Sequence, residues 1–160
     1  MNTSSKTRVA VNGYGVIGKR VADAVAQQED MELAGVSDIS ADWRARMVTQ
    51  KGFRLYGAAS EQAQAMRDAG LDVAGTLDDL LGASDVVVDC TPKRVAAKNV
   101  ELYRQKGMKF IVQGGEKHEV TGHSFVAEAS YESALGRDST RVVSCNTTSI
   151  VRTLTALKHA

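Results

Sequence analysis

The chain has 160 residues, with 20 basic and 19 acidic side chains, three histidines and two cysteines. This length fits one ordinary domain with a substantial core, and the balanced charges give no electrostatic footprint for nucleic acid or an anionic membrane. No apolar run approaches the roughly 20 residues that span a bilayer, and the polar start lacks the apolar segment of a signal peptide. We therefore expect a cytoplasmic protein with reduced thiols, no metal site and no nucleic acid or membrane partner.

The first predicted elements form a β-α-β unit. Residues 7–12 and 31–37 are apolar, β-branched runs typical of strands, and residues 16–28 between them have helical apolar spacing. Residues 41–81 hold two or three shorter helical patterns punctuated by glycines, and residues 53–56 are compatible with an extended stretch.

The second half of the chain continues the alternation. A short helix is predicted at Thr76, because Asp79 three residues later resembles a weak capping box. Residues 86–90 and 109–113 are continuous apolar runs of the kind found in parallel strands buried on both faces, with a helix at residues 95–105 between them. After a short strand ending at residue 143, apolar residues at helical spacing predict a final helix.

These elements predict an α/β fold with a Rossmann-like, doubly wound, mostly parallel sheet. We expect residues 1–143 to form a dinucleotide-binding domain. Residues 144–160 would begin a catalytic domain with a cysteine nucleophile and a first helix, and the remainder of that domain would be absent.

A G-x-G-x-x-G motif stands between the first strand and the first helix, at Gly13, Gly15 and Gly18. In this context the glycines allow a tight turn, close approach of a pyrophosphate, and close packing of helix on strand, while helix N–H groups face the phosphates. The intervening residues Tyr14, Val16 and Ile17 are included in the predicted cofactor loop. The alternative is an ordinary turn with incidental glycines.

Asp38 follows the second strand about twenty residues after the glycines, where a carboxylate can bind the adenosine ribose hydroxyls and favours NAD. The neighbouring residues Ser37, Ser40 and Arg44 could instead accommodate the 2′-phosphate of NADP, and Asp38 could simply cap a helix near Ala41. NAD is favoured here, and NADP stays open.

Two loops follow predicted strands and are expected at the carboxyl edge of the sheet, where such folds bind ligands. Thr91 and Pro92 form the first, and Gln113 and Gly114 begin the second. We predict that they line the cofactor, although an ordinary strand-to-helix turn is the alternative for each.

Cys145 lies where a short strand gives way to a polar turn and a helix. A thiol at a helix N-terminus is stabilised as the thiolate, which can attack an aldehyde to form a hemithioacetal. Hydride loss to the nicotinamide then leaves a thioester, which phosphate or water cleaves. Ser144, Asn146 and Thr147 supply polar donors for the substrate. An inert cysteine is the alternative here, and for Cys90 a core role is favoured.

The motifs at residues 11–21, 113–117 and 144–148 together resemble those of archaeal-type (type II) glyceraldehyde-3-phosphate dehydrogenases, and the similarity runs through nearly the whole chain. The resemblance implies that Cys145 is the catalytic thiol, with Asn146 and Thr147 beside the substrate. It also implies oxidation of glyceraldehyde 3-phosphate with NAD or NADP and inorganic phosphate, a glycolytic reaction giving 1,3-bisphosphoglycerate, usually in a homotetramer. Where relatives that use NADP often carry lysine after the second strand, this chain has Asp38.

Members of that family are about twice as long, and their catalytic histidine lies in the half missing here. His118, His123 and His159 do not match it and are expected to be solvated surface residues. We therefore expect an N-terminal half that binds cofactor with little or no turnover alone. Two alternatives are a semialdehyde dehydrogenase of related fold and a non-catalytic dinucleotide-binding module.

Overall fold

The structure, a computed structural model, describes residues 6–113 and 115–159. Contacts divide the chain into two compact units, Met1–Thr91 and Pro92–Ala160. The predicted domain boundary after residue 143 stays a prediction. No helix within the described residues is both long and apolar enough to cross a bilayer.

The first unit alternates strands and helices, as a Rossmann-like fold does. Its elements are β1 (Thr7–Asn12), α1 (Val16–Ala26), β2 (Met31–Asp38), α2 (Trp43–Gln50), β3 (Leu55–Gly57), α3 (Ser60–Asp68), β4 (Val73–Thr76), α4 (Leu77–Gly82) and β5 (Val86–Asp89). The strands run parallel in the order β4-β3-β2-β1-β5. The strands β2, β3 and β4 therefore follow one another on one side of β1, and β5 lies on its other side. Open α/β sheets bind ligands at such a switch point.

The core of this unit is apolar and includes the side chains of β1, β2 and the helices that cover them. Its buried members are Val11, Tyr14, Ala22, Val36, Ala45, Val48, Leu55, Ala63, Met66 and Val73. Full burial of a valine, leucine or methionine side chain stabilises a domain by about 1.5–3 kcal/mol. This packing fixes the strand ends that carry the polar residues described below.

The second unit contains α5 (Val95–Gln105), β6 (Lys109–Val112), a 3₁₀ turn (His118–Val120), β7 (Ser124–Phe125), α6 (Ala127–Ala134), β8 (Ser139–Val142) and α7 (Cys145–His159). Its three strands are parallel in the order β6-β8-β7, which places β8 in the middle. The strand β8 ends three residues before Cys145, the first residue of α7.

The predicted α/β, Rossmann-like, mostly parallel fold is confirmed, and so is the short helix at Thr76. There Thr76 and Asp79 form a reciprocal capping box at the start of α4. Within residues 41–81, the extended stretch expected at residues 53–56 overlaps the strand β3, and the shorter helices are also present. The strand β4 in the same region was not predicted. A strand of only three or four residues containing glycine carries too little alternation to be distinguished from a loop.

Candidate functional site

Polar side chains meet at the carboxyl ends of three neighbouring strands of the first unit. Asn12 at the end of β1 pairs in register with Ser37 on β2 and with Asp89 on β5. All three residues are buried, at 3%, 0% and 0% exposure. Buried polar groups need hydrogen-bond partners, so this edge is a polar cluster set into an apolar sheet.

The loop that follows β1 packs closely at two of its glycines, where a side chain would clash. Gly13 has a φ of 93°, and a Cβ there would lie 3.1 Å from the main-chain carbon of Cys90. A Cβ on Gly18 would lie 1.8 Å from the carbonyl oxygen of Gly13. The Gly13 N–H also donates to the carbonyl of Ser37 at 2.7 Å. Two of the three predicted glycines are therefore required by close packing.

Gly15 differs from the other two, because it is open on the side where a side chain would project. No heavy atom of the described residues, apart from its chain neighbours, lies within 4 Å of a Cβ built there. Gly15 is the N-cap of α1, and this described helix start has neither a side-chain cap nor an acidic residue in its first turn. We call this open space at Gly15, with the N–H groups of α1 behind it, the cradle. It fits the pyrophosphate of a dinucleotide.

The apolar residues that follow Gly15 remain accessible beside this cradle. Val16 and Ile17, at the start of α1, are 66% and 44% exposed. Both belong to the predicted cofactor loop, and both keep an accessible surface next to the predicted phosphate position.

The Asp38 carboxylate ties the end of β2 to the glycine loop. Its Oδ2 accepts a 2.7 Å hydrogen bond from the N–H of Tyr14, and its Oδ1 accepts one of 2.7 Å from the N–H of Ile39. Ser40 donates to the same Oδ1 through its N–H and its hydroxyl, each at 3.2 Å. The alternative role as a helix cap is wrong, because α2 starts later and is capped by Asp42.

Tyr14 and Ser37, both predicted to bind cofactor, turn their hydroxyl groups inward. Their hydroxyl oxygens are buried, and neither has a hydrogen-bond partner among the described residues. Burial raises the pKa of the Tyr14 phenol, with Lys51 opposing the shift and Asp23 adding to it. The side chain of Tyr14 belongs to the core, and the main-chain N–H of Tyr14 donates a hydrogen bond to Asp38. Both residues thus shape the site through the main chain, which sequence reasoning did not anticipate.

Asp89 is a site residue that the sequence analysis missed. Its Oδ1 accepts hydrogen bonds from the N–H and the hydroxyl of Thr91, at 2.9 and 2.5 Å. Its Oδ2 accepts a longer bond of 3.4 Å from the side-chain amide of Asn12. An acidic residue that ends an otherwise apolar strand was the available signal, since a buried carboxylate requires such partners. Asp89 thereby orients Thr91, while Pro92 after it is exposed.

Cys90, next along the chain, is not a reactive thiol. Burial, followed by the charge of Asp89, raises the pKa of Cys90 to about 12. Since the thiolate is the nucleophile, this environment suits a packing role, as the sequence indicated.

In the second unit the structure brings together the four residues of the predicted thiol site. Cys145 is exposed and is the first residue of α7. Ser144 caps the helix, because its hydroxyl accepts the N–H of Thr147 at 3.2 Å and lies 2.9 Å from the Thr147 hydroxyl. The Cys145 sulfur lies 3.9 Å from Oδ1 of Asn146. This arrangement sets an accessible thiol at the positive end of a 15-residue helix.

Two predicted residues in the loop after β6 have different outcomes. Gln113 is half-buried directly after the last residue of β6. Gly114 lies outside the described residues. Across the described ranges, no group of three or more histidine, cysteine or acidic side chains is arranged to hold a metal ion.

The prediction that the histidines are solvated was wrong for His123. This residue is 7% exposed, and its ring nitrogens lie 2.6 Å from the Thr140 hydroxyl and 2.9 Å from that of Ser133. Burial lowers the pKa of His123, and the charges of Arg137 and His118 act in the same direction. The hydroxyls on β8 and α6 that enclose it were not foreseeable from a loop sequence. His118 is exposed as expected.

Comparison with protein families identifies the first part of the chain. The family described as "Dihydrodipicolinate reductase, N-terminus" matches residues 7–119. That range includes the glycine loop, Asp38 and the Asp89–Thr91 pair.

Curated relatives extend the similarity through the thiol segment. Glyceraldehyde-3-phosphate dehydrogenase of Methanothermus fervidus is 54% identical over 149 residues, which is 93% of this chain and 44% of the relative. The enzymes of that name from Methanothermobacter thermautotrophicus and Thermococcus kodakarensis are 55% and 54% identical, over 91% and 96% of this chain. The chain spans 43% and 46% of those two relatives, less than half their length. The predicted resemblance to archaeal-type glyceraldehyde-3-phosphate dehydrogenases is confirmed.

Solved structures agree on the fold alone. GenD2 from gentamicin A biosynthesis, solved in complex with NAD, superposes with a TM-score of 0.52 at 20% identity, over 71% of this chain and 28% of that one. An NAD-binding protein from Listeria innocua gives a TM-score of 0.50 at 21% identity, over 68% of this chain and 27% of that one.

Proposed function

Because this chain belongs to the dihydrodipicolinate reductase N-terminus family, we propose that it binds a nicotinamide dinucleotide at its glycine loop and carries the thiol of a glyceraldehyde-3-phosphate dehydrogenase. The observation that carries the proposal is the pairing of two features. One is the open cradle at Gly15, and the other is an exposed Cys145 at a capped helix start, in a chain 54% identical to an enzyme of that name.

The residues that would hold the cofactor are those of the first unit. Helix N–H groups behind Gly15 face the pyrophosphate, and the Asp38 carboxylate lies at the position from which such folds bind the adenosine ribose. Thr91, Gln113 and Gly114 are proposed to line the nicotinamide side. When bound, the dinucleotide supplies the hydride acceptor for the oxidation.

NAD is proposed as the preferred cofactor over NADP. The Asp38 carboxylate is held in place by three N–H groups and repels a 2′-phosphate. Arg44, the nearby cation that could have bound that phosphate, is engaged by Asp42, with 2.6 Å between Nη2 and Oδ2. This pairing raises the pKa of Arg44 chiefly through the hydrogen bond to Asp42.

The chemistry of the chain's own residues centres on Cys145. Its thiolate adds to the aldehyde carbon of the substrate, forming a carbon–sulfur bond and a hemithioacetal. That carbon would then lose a hydride to the bound dinucleotide, and its hydroxyl group would lose a proton, which gives a thioester. Attack by inorganic phosphate then breaks the carbon–sulfur bond, releases the acyl phosphate and regenerates the thiol. The side chains of Ser144, Asn146 and Thr147 are proposed to bind substrate oxygen atoms during these steps.

The properties of the whole enzyme are proposed from the relatives, of which this chain spans about 44%. They are the use of glyceraldehyde 3-phosphate and inorganic phosphate in glycolysis, a homotetrameric assembly and a cytoplasmic location. We also propose that residues 1–143 are the dinucleotide-binding domain and residues 144–160 the start of the catalytic domain. The 160 residues alone would then bind cofactor with little or no turnover.

Isothermal titration of this chain with NAD and with NADP tests the proposal directly. Binding of NAD that is lost in Gly15→Leu supports it, since leucine fills the open cradle. The matched control is Gly82→Leu, at an equally open glycine on α4. Absence of binding by the unaltered chain to either dinucleotide would refute it.

A further inference from the structure

Arg141 occupies the central strand of the second unit, where it connects two other strands. In the register of the sheet it lies opposite Val112, the last residue of β6, and opposite Ser124 on β7. Its own N–H donates to the carbonyl of His123 at 3.2 Å. Four residues later the chain reaches Cys145.

The guanidinium group of Arg141 binds the loop that follows β6. Its Nη1 donates to the carbonyl oxygen of Glu116 at 2.6 Å, and its Nε donates to the Ser124 hydroxyl at 2.9 Å. Two donors of one planar group therefore hold two acceptors on different segments, which a lysine ammonium cannot reproduce with the same geometry.

Glu116 anchors the same loop on its other side. Its side chain is buried, at 4% exposure for the residue, and Oε1 accepts the N–H of Arg94 at 2.5 Å. Arg94 precedes α5 and has a φ of 75°, a left-handed conformation that no other non-glycine residue adopts in the described part of the chain. Such strain persists only where the surroundings impose it. The buried carboxylate provides that constraint.

We propose that Arg141 is a positioning residue that holds residues 115–117, in the loop after β6, at a fixed place relative to the strand that precedes Cys145. This inference rests on the proposed function, in which Gln113 lines the cofactor and Cys145 is the nucleophile. The observations behind it are the two hydrogen bonds of the Arg141 guanidinium and the hydrogen bond to Glu116 from the N–H of Arg94, which has a left-handed conformation. Both hydrogen bonds of the guanidinium are made to protein groups, so Arg141 acts through the two segments that it joins.

The test measures the rate at which iodoacetamide alkylates Cys145, with and without NAD at a concentration that calorimetry shows to be saturating. It uses the whole chain with the half-buried thiol removed (Cys90→Ala), alone and combined with Arg141→Ala, Arg141→Lys or Ser124→Ala. Arg137→Ala is the matched control, because that exposed arginine donates to the carbonyl of Ser133 and not to the loop. Arg141→Lys keeps the charge, so it decides the question if Arg141→Ala does not fold.

Where Arg141 is present, in the Arg137→Ala control as well, we expect NAD to change the alkylation rate at least about threefold. The Arg141 variants should reduce that ratio to below about 1.5. Methylguanidinium should restore the ratio in Arg141→Ala, because it can refill the guanidinium site and donate to the Glu116 carbonyl and the Ser124 hydroxyl. The affinity for NAD should stay within about threefold, because the glycine loop is untouched.

Two results would overturn the inference and leave the proposed cofactor site standing. One is that NAD still changes the alkylation rate threefold or more in Arg141→Lys. The other is that NAD binds to the chain with Arg141 intact and does not change the alkylation rate. Failure of the chain with Arg141 intact to bind NAD or NADP would instead overturn the proposed function, and the inference with it.

Discussion

The N–H of Tyr14 donates a 2.7 Å hydrogen bond to Oδ2 of Asp38, twenty-four residues away. This bond joins the glycine loop to the end of β2 through a carboxylate that is only 8% exposed. The same carboxylate that is proposed to face the ribose thus also sets the conformation of the loop. A change at Asp38 should therefore affect stability and cofactor choice together.

Asp38→Asn tests this double role. An amide has one acceptor oxygen, so it cannot satisfy both the Tyr14 N–H and the Ile39 N–H, and one buried donor loses its partner. The free energy of unfolding in urea should fall by about 1–3 kcal/mol. Removal of the charge should also narrow the NAD-over-NADP preference about tenfold in calorimetric titrations. The exposed Asp72→Asn is the control, and an unchanged preference in Asp38→Asn would contradict the ribose role.

The three glycines of the loop should separate into structural and binding positions. Gly18→Ala places a Cβ against the Gly13 carbonyl oxygen and should lower the free energy of unfolding by about 3 kcal/mol. Gly15→Ala projects into open space and should cost less than about 1 kcal/mol in stability, while NAD affinity drops about tenfold or more. Gly82→Ala controls for the general effect of the exchange. Equal losses of stability at Gly15 and Gly18 would refute this division.

The two thiols should differ strongly in reactivity near neutral pH. With the pKa of Cys90 raised to about 12, its thiolate fraction at pH 7.5 is on the order of 10⁻⁵. Iodoacetamide should therefore label Cys145 first, as peptide mass spectrometry would record. Cys145→Ser should abolish the fast phase and Cys90→Ser should preserve it. Comparable labelling rates at the two positions would argue against a catalytic thiol.

Acidification should destabilise the second unit through His123. Because burial lowers its pKa in the folded state, with Arg137 and His118 acting in the same direction, the unfolded chain binds more protons below about pH 6.5. This contribution to stability is complete above that pH and is lost as pH falls through the folded-state pKa. His123→Gln should show a flatter decline in urea midpoint between pH 7 and 5, whereas the exposed His118→Gln should follow the wild type. Parallel curves for wild type and His123→Gln would disprove the assignment.

The features that could be predicted from the sequence depend on residues close together in the chain. The glycines at 13, 15 and 18, the Thr76–Asp79 box and the apolar strands each act over a few residues, so their consequences appear in the chain itself. The helix that begins at Cys145 belongs to the same class.

The features that sequence missed depend on residues far apart in the chain. The buried state of His123 requires Thr140 and Ser133, and the role of Asp89 requires Asn12 from another strand. The inward orientation of Tyr14 depends on core packing across several elements. The apolar spacing within one segment does not predict contacts between distant residues. Very short strands such as β7 and β4 are defined by the strands that they pair with.

The contact between Gly18 and the Gly13 carbonyl has a thermodynamic consequence for association. The loop is locked by the folding of α1 onto β1, so its conformational entropy is lost before any ligand arrives. A preorganised receptor spends little of the interaction energy on ordering itself. Calorimetry of NAD association should accordingly show an entropy term free of the large unfavourable contribution that marks loops which fold around their ligands.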